Sequence, residues 1–248
     1  RTLLSQGDQA KLKQGGIAMQ GLTASEYLLF DPGHLENASP KESCHLLTQV
    51  AEQNEDNAKA MLTRWQESDF LVEWHDAALG NDTFASTTQA TGYLLAGLAE
   101  QLEAIAKNKI YKPFRLNDDK AKPNGYLAEN WRSSQSLTNL ATNFAQIRDY
   151  YLGLPEMGTN TEPLINGPDQ LLRHLGFAGE ANQIVTQLNQ SQSTLDTLVT
   201  MGSAAYLSEE GKAQARKLHD EIKQLERALK KPLPHFKLTQ RFNSADGD

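Results

Sequence analysis

The stretch Gly21-Leu22-Thr23-Ala24-Ser25-Glu26-Tyr27-Leu28-Leu29-Phe30 sets a carboxylate three residues after a threonine. Residues three apart share a helix face, so a histidine in place of Thr23 would let an imidazole and a carboxylate reach one ion. Thr23 supplies only a hydroxyl. The same spacing also reads as a capping box over Thr23-Ala24-Ser25-Glu26. In that reading the Thr hydroxyl and the Glu carboxylate satisfy free amides at a helix start, and Tyr27, Leu28, Leu29 and Phe30 enter the core.

Two further segments carry chemistry. In Glu129-Asn130-Trp131-Arg132-Ser133-Ser134-Gln135-Ser136, Ser134 or Ser136 can cap the helix that follows. Trp131-Arg132 beside them offers a fixed cation and hydroxyl donors near a helix N-terminus, a combination suited to an anion. The chain closes on Phe242-Asn243-Ser244-Ala245-Asp246-Gly247-Asp248, which reads either as a polar tail or as a carboxylate-rich hook folding back on the body. The six histidines at 34, 45, 75, 174, 219 and 235 are too dispersed for a local metal motif. HExxH, P-loop, GxSxG and Gly-rich dinucleotide signatures are all missing from the sequence.

The elements that must position these groups are helical. Leu47, Val50, Asn54, Ala58, Met61 and Trp65 step by three or four, predicting a helix over about 40–68 opened by Ser39-Pro40-Lys41-Glu42. Similar stepping predicts helices over about 86–107, from Leu137 to near Gly153, over 168–175, through Ala181, Ile184, Leu188, Leu195 and Leu198, and over 209–229. Pro232 and Pro234 stop the last. No segment alternates strictly, so the expected fold class is all-α, two antiparallel helical bundles packed together with little or no sheet. The polar, Pro- and Gly-containing stretch 112–125 places the expected boundary there, with domains over 1–117 and 118–248.

Composition narrows the function classes. A chain of 248 residues with 39% hydrophobic residues can bury a substantial core. The net charge of -7 argues against nucleic-acid binding, which needs a basic face to displace phosphate counterions. A single cysteine, Cys44, excludes an internal disulfide and any multi-cysteine zinc site. Arg1 is preceded by neither an initiator Met nor an apolar leader, so a processed or trimmed N-terminus is expected.

In this order, Gly-Leu-x-x-x-Glu-Tyr-Leu-Leu-Phe, a long Cys-bearing helix, Trp-Arg-Ser-x-x-Ser and a closing Phe-Asn-x-x-Asp-Gly-Asp resemble the imelysin-like proteins. That family is named for an insulin-cleaving peptidase and includes iron-regulated bacterial periplasmic proteins. The resemblance spans essentially the whole chain. It implies a two-bundle all-α fold, a periplasmic location, often with a lipid anchor to a membrane, and further helices ahead of the first motif. The family signature is Gly-x-His-x-x-Glu, and here Gly21 and Glu26 stand with Thr23 in the histidine's place. A hydroxyl is a poor ligand for zinc or iron. Any iron or other divalent cation would then draw on Glu26, Asp246, Asp248 or a histidine brought in by folding.

The first functional reading is a periplasmic binding or accessory protein of iron acquisition, whose partners are iron or an iron-uptake membrane component. Its polar cleft is expected between the bundles, formed by Gly21, Thr23, Glu26, Trp131, Arg132, Ser133, Ser136, Asn243, Asp246 and Asp248. A metallopeptidase using Glu26 as base and a structural scaffold are the alternatives. The first reading requires Glu26, Arg132 and the Asp246-Gly247-Asp248 tail to lie close together.

Overall fold

The computed structural model describes residues 21–153 and 167–236. Among the described residues nine α-helices follow in chain order: α1 (Gly21–Phe30), α2 (Pro32–Asn37), α3 (Pro40–Gln66), α4 (Asp69–His75), α5 (Thr87–Ala104), α6 (Ser136–Leu152), α7 (Pro168–His174), α8 (Ala178–Met201) and α9 (Glu209–Lys230). No strand occurs among the described residues. The all-α fold expected from the periodicity is the fold observed. Two compact units are present, one of residues 21–72 with Asn130–Gln135 and one of Glu73–Glu129 with the described residues from Ser136 onward.

In the first unit α1 packs on the start of α3. Ala24 and Leu28 from α1 meet Leu46 and Val50 from α3, with Tyr27 and Leu47 at the margin. A helix of 10 residues is about 15 Å long and one of 27 about 40 Å, so α1 covers only the first part of α3. Burial of the apolar stripe of α3 is confined to that first part, at Leu46 and Val50. Its outer part is open to solvent, for Met61 is 72% and Trp65 54% exposed, and Trp65 pairs with Phe70 at 6.1 Å. Ser39 caps α3 by its extended backbone and by Pro40 at the first helical position, and makes no side-chain cap bond.

The second unit is a larger helical assembly in which α9 packs on α8 and on α5. The buried face of α9 runs through Ala215, Leu218, Ile222, Leu225 and Leu229, the stepping read from the sequence. Across from it lie Ile184, Leu188, Leu195 and Leu198 of α8 and Leu95, Leu98 and Leu102 of α5. The short connection from α8 to α9, a 3-10 turn over Gly202–Leu207, makes them an antiparallel pair. α5 does not end where its apolar stepping stops. It continues as a π-helix over Ile105–Tyr111, which keeps Ile105, Ala106 and Ile110 buried.

One buried cation organises the segment after that π-helix. Lys212, 4% exposed at the start of α9, donates from Nζ to the carbonyls of Asp118 at 2.7 Å, Asp119 at 3.2 Å and Ala121 at 2.5 Å. An ammonium has three protons, and all three are taken up by these main-chain carbonyls, of which that of Asp118 also accepts the Ala121 amide at 3.1 Å. Arg216, one turn on, holds the Asp119 carboxylate at 2.6 Å. Lys212→Met keeps the aliphatic stem and removes the donors. It is expected to lower unfolding free energy by about 2–3 kcal/mol in a urea titration, the cost of losing three hydrogen bonds from a charged donor. An unchanged midpoint would show that these carbonyls are served by water.

Candidate functional site

On α1, Ala24, Glu26 and Leu28 are the buried positions, which puts a carboxylate at 7% exposure beside an apolar contact surface. A carboxylate removed from water needs donors. Glu26 finds them far away in sequence: its Oε1 accepts the main-chain N–H of Ser133 at 3.0 Å and the Ser133 hydroxyl at 2.8 Å. The same hydroxyl lies 3.1 Å from the Asn130 carbonyl, but a serine has one proton to give, and the shorter contact to the carboxyl group is the stronger.

The loop that presents Ser133 is a tight, self-closed turn. The Gln135 amide donates to the Asn130 carbonyl at 3.2 Å, and the Ser134 amide to the Trp131 carbonyl at 3.3 Å. Asn130 at φ 57° and Ser134 at φ 58° both adopt left-handed backbone. Asparagine tolerates that region, while serine adopts it at a cost of about 1 kcal/mol or more. These two residues bracket Trp131, Arg132 and Ser133, so the strained backbone aims the three side chains toward α1 and α2.

Arg132 is held as closely as Ser133. Its Nε donates to Asp31 Oδ2 at 2.8 Å, and its guanidinium lies over the Trp131 ring at 4.4 Å and the Tyr27 ring at 5.4 Å. Asp31 serves two masters. Its other oxygen accepts the His34 amide at 3.1 Å and caps α2, where Pro32 occupies the first turn. The hydrogen bond from Arg132 holds the Asp31 carboxyl below the usual carboxylate range; desolvation opposes this and the His34 amide adds to it. His34 in turn stacks obliquely on Tyr27 at 5.1 Å and shares a hydrogen bond of 2.9 Å with the Ser43 hydroxyl of α3.

Of the residues singled out in the sequence, Glu26, Trp131, Arg132 and Ser133 thus come together in the first unit. Gly21 sits at the described start of α1 with φ 75°, a conformation that favours glycine. Thr23 lies inside the helix and is exposed. The capping-box reading therefore fails, because Thr23 is two residues inside α1 and not at its cap. Ser136 belongs to the second unit as the first residue of α6, and its hydroxyl bonds Tyr206, whose phenol burial pushes up to about 12. Asn243, Asp246 and Asp248 lie outside the described residues. Sequence reasoning passed over Asp31, Tyr27 and His34. The Asp31-Pro32 pair did signal a helix cap, and a cap uses only one carboxylate oxygen, which leaves the other to hold a cation.

Among the described residues the donor set does not fit a resident metal ion. Thr23 offers an exposed hydroxyl, Glu26 has one oxygen committed to Ser133, and among the described residues no three His, Cys, Asp or Glu side chains converge.

The family model described as Imelysin, a peptidase family by its title, matches residues 3–231. The chain belongs to the imelysin family. No curated protein and no solved structure matches it. In this imelysin-family chain the signature glutamate is therefore placed as an acceptor for a loop from later in the sequence, with the signature histidine's position carrying a solvent-facing threonine.

The Asp31 to Arg132 pair gives a pH test. A carboxyl group with a folded pKa below its ordinary value of 3.8 adds stability above that value and loses it as pH falls through the folded pKa. Asp31→Asn keeps a good helix cap and removes the charge. At pH 7 it is expected to cost about 1 kcal/mol by urea unfolding, with the gap to wild type closing as the pH is taken below 4. A gap that is constant with pH would show that the pair contributes nothing through charge.

Proposed function

We propose that this chain is a periplasmic binding protein of iron acquisition, which holds an iron chelate as cargo and does not hydrolyse peptides. One observation carries the reading: the cluster is a prearranged set of recognition groups without hydrolytic equipment. Metal-assisted hydrolysis needs an ion with an open position to acidify water and a base beside it. Here the signature carboxylate, Glu26, accepts two hydrogen bonds from Ser133. Arg132, by contrast, is fixed by Asp31 and two aromatic rings, as binding sites fix a cation before the ligand arrives. Family membership supports the iron and periplasmic parts of the reading, through the resemblance to iron-regulated periplasmic members. Attachment to a membrane through a lipid anchor belongs to the same proposal.

The test is calorimetric titration of chelator-stripped protein with ferric citrate, ferrous, zinc and calcium ions, on wild type and on Glu26→Ala. Binding of ferric citrate is expected, weakened at least tenfold in Glu26→Ala, because the loop that carries Arg132 loses its anchor. Insulin and casein should remain intact with and without chelator. Chelator-sensitive cleavage that disappears in Glu26→Ala would overturn the reading in favour of a peptidase.

A further inference from the structure

We infer that the outer edge of Arg132 is a carboxylate subsite, holding one carboxylate group of a small organic acid through two parallel N–H donors. The inference rests on the reading of this cluster as a binding site and adds the chemical class of what it binds.

A guanidinium carries five N–H donors in a rigid plane. In Arg132 the Nε donor is spent on Asp31, and among the described residues neither terminal nitrogen has a hydrogen-bond partner. Arg173 shows the contrasting case. Its Nε and one terminal nitrogen grip Asp169 at 2.8 and 3.0 Å, and its other terminal nitrogen reaches Asn182 at 2.7 Å. Arg173 is used up within its own unit, whereas Arg132 keeps its two-nitrogen edge.

The surroundings make that edge a recognition element. The Arg132 side chain is 22% exposed, so it is largely covered yet retains access to solvent. The Trp131 and Tyr27 rings lie against the guanidinium, and the Asp31 bond fixes its rotation. The conformational entropy of a long side chain is therefore lost on folding and does not count against binding. Two parallel N–H groups at fixed spacing match the two oxygens of a carboxylate. Phosphate shares that geometry, and charge decides between them. Asp31 already offsets the Arg132 charge, so the edge suits a group that concentrates one charge on the contacting atoms and not two, the other carboxylates of a polyacid such as citrate staying hydrated away from the edge. A carboxylate group, planar and singly charged, suits the edge better.

The experiment uses citrate as probe and inorganic phosphate as contrast, both metal-free, by calorimetry on wild type and on Arg132→Lys. Lysine keeps the charge and loses the fork. Citrate is expected to bind wild type, to bind Arg132→Lys at least tenfold more weakly, and to outcompete phosphate. Thermal melts check that the variant is folded. In wild type, independently of any variant, the Arg132 side-chain nitrogen resonances should shift on citrate addition. Equal citrate affinity in folded Arg132→Lys, unmoved Arg132 resonances, absence of citrate binding to wild type, or phosphate binding as tightly as citrate would each overturn the inference. The two readings fail separately. Ferric citrate bound equally by wild type and Arg132→Lys would sink the subsite and leave iron carriage standing. Citrate bound through Arg132 with no preference for its ferric complex would do the reverse.

Discussion

The hydrogen-bonded pair of Glu26 and Ser133 is the constraint on which the site depends. A carboxyl group at 7% exposure on an apolar helix face is unfavourable by itself, and a loop with two left-handed residues is unfavourable by itself. Each offsets the other. Ser133 supplies an amide and a hydroxyl to one Glu26 oxygen, and in doing so holds the loop in the conformation that orients Trp131 and Arg132. Every other feature of the cluster follows from that placement, including the Arg132 bond to Asp31 and the contact with Tyr27.

A second consequence concerns economy of groups. Asp31 caps α2 with one oxygen and fixes Arg132 with the other, and Tyr27 faces both the guanidinium and His34. Shared groups of this kind couple helix geometry to site geometry, so small shifts of α2 are felt at Arg132. The signature positions of the family acquire a definite division of labour in this chain. Glu26 works as an acceptor that holds the loop of Trp131, Arg132 and Ser133, and Thr23, in the histidine's position, faces solvent.

Much of the helical framework was legible because local spacing encodes it. The stepping of Leu218, Ile222, Leu225 and Leu229 marked α9, Ser86 marked the start of α5 through its bond to the Gln89 amide, and Pro168 opened α7. The π-helical continuation over Ile105–Tyr111 escaped because its apolar positions satisfy an α-helical reading equally well. Met61 and Trp65 marked α3 by their spacing and yet are exposed: periodicity identifies an apolar face, while burial depends on the length of the partner, and α1 is short. Glu26, Arg132 and Ser133 were grouped in one cleft by way of the family resemblance, but the bond from Ser133 to Glu26 was not legible in the spacing. Ser133 and Glu26 are 107 positions apart, and no local pattern carries that distance. The capping box was a plausible local use for Glu26, but Thr23 lies inside α1, and Glu26 serves a tertiary partner offering two donors to one oxygen.

The most direct measurement of the central claim is a double-mutant cycle of Glu26→Gln and Ser133→Ala by urea unfolding. A cycle isolates the energy the two side chains share, apart from what each loses singly. The account expects a coupling of about 1–2 kcal/mol, the range for a hydrogen bond to a carboxylate. Additivity within about 0.3–0.5 kcal/mol would contradict it, since the loop would then hold its shape without Glu26.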